Sequence, residues 1–192
     1  PSQRFFASEI PQRQYDPDKA RFHMKKAGLE GHKFNLTTST GVGDVSVDAA
    51  LFFKEHAKKA GIDIEVSKAP ADGYWKDVWI KKPWAAGRWG GRPTEDWMFS
   101  TAYAAGVPWN ETKWENARFN ELLVTARAEL DTAKRREMYV EMQQLVRDDG
   151  GTVAFIFPSD LHAASDKVKY KDLAGNWQMD GGKCCEKWWF EK

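Results

Sequence analysis

The residues best suited to chemistry lie between Ala85 and Phe99, "AAGRWGGRPTEDWMF". Two arginines, two adjacent acids and two tryptophans surround the pair Gly90-Gly91. A guanidinium is a fixed cation whose planar donor fork matches a carboxylate or a phosphate. Glycines let a ligand approach the backbone, and an indole offers a flat face for stacking. Arg88, Trp89, Gly90, Gly91 and Arg92 are therefore candidate ligand-binding residues, with Tyr74 and Trp109 as further aromatic candidates. In a strand, Arg88 and Trp89 point to opposite faces; after the glycine turn, Trp89 and Arg92 can reach one side. A structural turn in which Arg92 pairs with Glu95 or Asp96 fits the same residues equally well.

Nothing in the chain makes a catalytic set. A glycosidase needs two opposed carboxylates roughly 5 to 9.5 Å apart. Glu95 and Asp96 are neighbours and point about 100° apart on a helix, where they suit the positive N-terminus. No serine or cysteine sits in a nucleophile motif. His23, His32, His56 and His162 lack metal-ligand spacing. The turn Thr40–Asp44 stands where phosphate loops stand, but it lacks the third glycine and the lysine, so it reads as a plain turn. Cys184 and Cys185 are adjacent, and a bond between neighbours closes a strained ring. A soft-metal pair is one reading of them; one buried thiol with an incidental neighbour is the reading adopted. No catalytic residue, metal or cofactor is predicted.

The charge balance, 29 basic against 28 acidic residues, gives a net +1 and no nucleic-acid footprint. The chain is 42% hydrophobic and 30% charged, which suits a globular domain. Its longest apolar runs, such as Val153–Phe157, fall far short of the roughly 20 residues that span a bilayer. Seven of ten tryptophans fall between Trp75 and Trp114. They imply a compact core or an aromatic-walled cleft.

These candidates need elements to hold them. Residues 1–14 have no period and read as an extended lead-in. Asp16 caps a helix that starts at Pro17 and stops at Gly28. A strand over Phe34–Ser39, a helix over Val47–Ala60 and a strand with alternating Ile62, Ile64 and Val66 form a βαβ unit, hence a parallel pair. A short helix carries Tyr74 and Val78 one turn apart. "PWAAGRWGG" is predicted to be a short strand ending in the glycine turn. A helix follows from Pro93 or Thr94. Two amphipathic helices cover Phe119–Leu130 and Asp131–Asp148, and "TVAFIF" is predicted to be a buried strand closed by Pro158. From Ser159 the chain reads as strand and loop with an aromatic tail.

Four blocks in order, "YDPDKARFHMKKAG", "KKAGIDIEVSKAPADGYWKDVW", "RWGGRPTEDWMFSTAY" and "ARFNELLVTARAELDTAKRREMYVEMQQLVRDDGGTVAFIFPSD", resemble the C-terminal part of family 5 extracellular solute-binding proteins. These are the dipeptide- and oligopeptide-type receptors of ABC importers. The resemblance runs from Tyr15 to about Ser165. It implies an α/β fold, a type II periplasmic-binding-protein lobe with a mixed, mostly parallel sheet flanked by helices. It also implies a C-terminal lobe over 15–158 and a return segment with the tail over 159–192 that packs on a further lobe. Export to the periplasm with a signal peptide, ABC permease subunits as partners and a monomeric state are part of the same expectation.

In peptide-binding members, the resemblance implies a tryptophan at Trp89 and, three residues on, an aspartate that takes the ligand's α-amino group. Here that position is Arg92, so the charge is reversed. An ammonium is repelled there and an anion attracted. The expected ligand is a peptide-like or an anionic sugar- or opine-like solute, held without catalysis. A Trp-rich carbohydrate hydrolase and a solute sensor without transport are the alternatives.

Overall fold

A computed structural model describes residues 3–175 and 177–191. The chain divides into two compact units, Pro11–Trp89 and Pro1–Ile10 with Gly90–Lys192.

The first unit opens with α1, Pro17–Lys26. The Asp16 carboxylate accepts from the Lys19 N–H at 2.8 Å, and proline occupies a position whose N–H has no helical partner. Gly28 follows the helix with φ +68°, a conformation that glycine adopts without strain. Strand β1, Lys33–Thr38, lies parallel to β2, Asp63–Lys68, with Phe34 opposite Ile64 and Leu36 opposite Val66. Helix α2, Ser46–Lys58, connects them. Alternation along the strands sends Leu36 and Ile64 into a core with Ala50, and Phe53, Ala57 and Trp84 pack against it. The predicted βαβ unit is thus present.

A second cluster joins Val42, Tyr74 and Val78. Tyr74 opens α3, Tyr74–Asp77. The turn after β1 presses on the chain before α3: a Cβ at Gly41 would lie 2.9 Å from the Ala71 carbonyl oxygen. The strand expected over "PWAAGRWGG" shrinks to one parallel bridge between Thr37 and Ala85. The Thr37 N–H donates to the Trp84 carbonyl at 3.1 Å, and the Ala86 N–H donates to the Thr37 carbonyl at 2.8 Å. Beyond Ala86 no ladder continues. Gly87, Gly90 and Gly91 lose much backbone entropy in a strand and bring no side chain to pack.

The second unit is mainly helical. Helix α4, Glu95–Ala102, is capped by Thr94, whose hydroxyl oxygen accepts from the Trp97 N–H at 3.2 Å. Helix α5, Ala117–Ala128, is capped by Asn116, and α6, Thr132–Asp149, by Asp131. Phe99, Phe119, Leu122, Leu123, Tyr139 and Met142 form the core between them. Phe5 stacks on Tyr139 at 5.3 Å between centroids. Gln143 accepts from the Ala7 N–H at 3.0 Å and donates to the Phe5 carbonyl at 2.8 Å. Arg136 grips Glu9 with two bonds of 2.7 and 2.8 Å. Phe5, Ala7 and Glu9, in a stretch aperiodic in sequence, are thus packed into this unit.

The predicted strand "TVAFIF" is not formed. Residues 151–165 have no regular structure, and Val153, Phe155, Ile156 and Phe157 are exposed. An apolar β-prone run becomes a strand only where another strand accepts its hydrogen bonds, and none among the described residues does. The tail pairs β3, Val168–Lys169, antiparallel to β4, Trp189–Phe190. Between them lie α7, Gln178–Gly182, and α8, Cys184–Lys187. Met179, Asp180 and Gly181 are left-handed, so α7 is a tight reversal. Its centre is the buried Asp180 carboxylate, which accepts from the Ala174 N–H at 2.6 Å, Lys187 Nζ at 2.5 Å and Trp188 Nε1 at 3.1 Å.

Candidate functional site

The predicted ligand residues divide between the two units at the boundary between Trp89 and Gly90.

In the first unit, an aromatic row ends on Trp89. Tyr74 meets Trp75 at 5.7 Å, Trp75 meets Trp79 at 5.6 Å, and Trp79 meets Trp89 at 6.3 Å, all edge to face. Such contacts place the positive edge of one ring on the negative face of the next. Arg88 is exposed and Trp89 half-buried, whereas Tyr74 is 1% exposed. The Tyr74 hydroxyl lies 2.9 Å from the Ala86 carbonyl and 3.1 Å from that of Thr37. Tyr74 therefore ties the chain that leads into Arg88 and Trp89 to strand β1.

In the second unit, the glycine turn is held from several sides. Trp177 Nε1 donates to the Gly91 carbonyl at 2.7 Å, and Gln3 Nε2 donates to the Arg92 carbonyl at 2.6 Å. The half-buried Arg92 guanidinium curls over its own turn, with Nη1 donating to the Gly90 carbonyl at 3.0 Å and the Gly91 carbonyl at 3.3 Å. That curl shortens the reach of a long side chain and fixes where its positive charge sits.

The acids of the next helix have their own work. Glu95 accepts from the Phe5 N–H, and Asp96 accepts from Arg127 Nε at 2.8 Å. Burial, then Asp96 and Glu95, push the Tyr139 phenol up to about 12. Trp109, 47% exposed, sits in the loop between α4 and α5. The buried Asn110 organises this loop by donating to the Ala104 carbonyl at 3.2 Å and the Trp114 carbonyl at 2.7 Å, while its oxygen accepts from the Trp114 N–H at 3.2 Å. Asn110 was not singled out from the sequence; its signal is an asparagine two residues after Pro108, closing a turn in which the Asn110 N–H donates to the Val107 carbonyl at 3.1 Å.

The tryptophan cluster is neither one core nor one wall. Trp84 packs on Phe34 and Phe53, and Trp114 is buried with Nε1 on Asp149 at 2.8 Å. Trp75, Trp97 and Trp109 are exposed. Among the described residues, no three His, Cys, Asp or Glu gather as a metal set, and no helix is long and apolar enough to cross a membrane. The candidate residues supply cationic donors, carbonyls and aromatic faces.

Comparison with solved structures defines the class first: the fold is that of the periplasmic binding proteins. DppA of Helicobacter pylori, an ABC transporter-associated periplasmic binding protein in complex with the peptide STSA, matches with TM-score 0.65 at 22% identity, over 78% of this chain and 30% of that one. The ABC transporter substrate-binding protein CtaP of Listeria monocytogenes matches with TM-score 0.69 at 17% identity, over 78% and 31%. AgaA of A. tumefaciens R10, in complex with agropinic acid, matches with TM-score 0.56 at 22% identity, over 67% and 27%. The chain thus spans less than a third of the length of these structures. No curated protein matches it. Residues 1–111 match the model of bacterial extracellular solute-binding proteins, family 5 middle, and the chain belongs to that family.

Proposed function

We propose that this chain is part of the solute-capturing body of an extracytoplasmic binding protein that serves an ABC importer, and that Arg92 selects an anionic solute. Family membership supports the first half. The observation that carries the second is Arg92 itself. A guanidinium stands where the resemblance implies an aspartate for the ligand's ammonium, and its own turn carbonyls hold it in a set position. A fixed cation favours a carboxylate or phosphate and repels a peptide's N-terminus. Trp89, three residues earlier in the chain, offers an indole face for a sugar or other flat group. Capture proceeds by hinge closure in which the ligand selects the closed state, and the closed monomer is what a permease engages.

Isothermal titration with a panel of dipeptides and a panel of carboxylated sugar–amino acid conjugates, agropinic acid among them, tests this reading. The conjugates are expected to bind more tightly. Arg92→Ala should weaken them about 10- to 100-fold, the worth of a charged hydrogen bond of about 1.5–3 kcal/mol. Tight dipeptide binding that is lost on Arg92→Ala would refute the anionic preference.

A further inference from the structure

Cys184 and Cys185 begin α8 with their sulfurs 3.9 Å apart. Both are free thiols; Cys185 is exposed and Cys184 half-buried. Two thiolates bound to one tetrahedral zinc, with Zn–S of about 2.3 Å, are separated by about 3.8 Å. The pair therefore already holds the bite of a chelate. Its backbone is anchored as well. The Trp188 N–H donates to the Cys184 carbonyl at 2.8 Å, and Lys187 Nζ donates to the Asp172 carbonyl at 2.9 Å and to the buried Asp180. A site whose supporting groups are fixed loses little entropy when its ligand arrives.

We propose that Cys184 and Cys185 chelate one soft d10 cation of the zinc type. Thiolates select such cations over the hard oxygen-seeking ones. Each thiol passes its proton to solvent and forms one metal–sulfur bond, so no electron is transferred. Among the described residues no third His, Cys, Asp or Glu joins the pair. The remaining positions are therefore filled by water or a small exogenous ligand, and the bound cation stays exchangeable. The site uses none of the residues assigned to the anionic solute.

Titration of the full chain, kept reduced by a phosphine, with Cd²⁺ and with Co²⁺ tests this. The thiolate-to-metal charge-transfer band should saturate at one metal per chain. Cys184→Ser and Cys185→Ser should each weaken it at least ten-fold. No band, a band that survives either substitution, or saturation at one metal per two chains would overturn the chelate. A second readout needs no variant: Cd²⁺ should shield both thiols from alkylation, counted by intact mass. Unchanged alkylation would overturn the proposal equally.

Discussion

The hydroxyl of Tyr74 meets the carbonyl of Ala86 at 2.9 Å. This bond, with a second contact to the Thr37 carbonyl, ties α3 and β1 to the segment that runs into Arg88 and Trp89. In Tyr74→Phe the Thr37 carbonyl keeps the Ala86 N–H as a donor, but the Ala86 carbonyl loses its own. The loss should cost about 1–2 kcal/mol. A lower urea midpoint with unchanged m-value is expected; an unaltered midpoint would show that the hydroxyl contributes no net stability.

Gly41 and Gly43 flank one turn and should respond differently to alanine. A Cβ at Gly41 runs into the Ala71 backbone, at 2.9 Å from its oxygen and 3.1 Å from its Cα, whereas one at Gly43 meets nothing within 4 Å. Backbone cannot swing aside as a side-chain tip can. Gly41→Ala should destabilise by about 1–3 kcal/mol, and Gly43→Ala should be neutral or slightly stabilising. Equal thermal midpoints for the two variants would contradict the close approach.

The tail should loosen in acid. The Ala174 N–H and then Lys187 hold the Asp180 carboxyl below its usual range. A depressed carboxylate contributes stability above its unfolded pKa, roughly 4, and loses it as pH falls through the lowered folded value. Hydrogen exchange of residues 174–188 should therefore accelerate as pH is lowered below about 4, beyond the intrinsic trend. Asp180→Asn should lack this step and exchange faster already at neutral pH.

Tyr139 predicts the opposite limit. Its phenol is pushed up to about 12, first by burial and then by Asp96 and Glu95. The unfolded chain ionises near about 10, so the contribution is whole below that pH and falls as pH rises towards 12. Absorbance titration should show one phenolate step near 12 that Tyr139→Phe removes. A titration in which Tyr139→Phe removes only a step near 10 would place this ring in water.

Helix starts were legible because their chemistry is local. Asp16-Pro17 announces its helix within one turn, and the cap expected at Asp16 forms; Thr94 and Asp131, expected as first helical residues, prove to be the caps of theirs. The βαβ unit was legible because two periods meet at Gly61, helical before it and alternating after it. "TVAFIF" misled because composition reports β propensity and burial together, whereas pairing depends on a distant strand that no local pattern encodes. The packing of Phe5 and Ala7 was hidden for the same reason: their partners on α4 and α6 lie far along the chain. At the candidate site, residue types were readable. The curl of Arg92 over its own carbonyls and the burial of Tyr74 depend on three-dimensional neighbours and were not.

The two-segment second unit also sets a timetable for synthesis. Residues 11–89 contain all of their own core and can close as they leave the ribosome. Phe5 and Ala7 leave earlier still, yet the side chain that fixes them belongs to Gln143, 138 residues beyond Phe5. At about 5–20 residues per second, that wait lasts on the order of ten seconds. Phe5 and Ala7 are therefore made before the core of residues 11–89 but buried after it. Throughout that interval they present a short apolar stretch, a natural handle for a chaperone that keeps the nascent chain from aggregating.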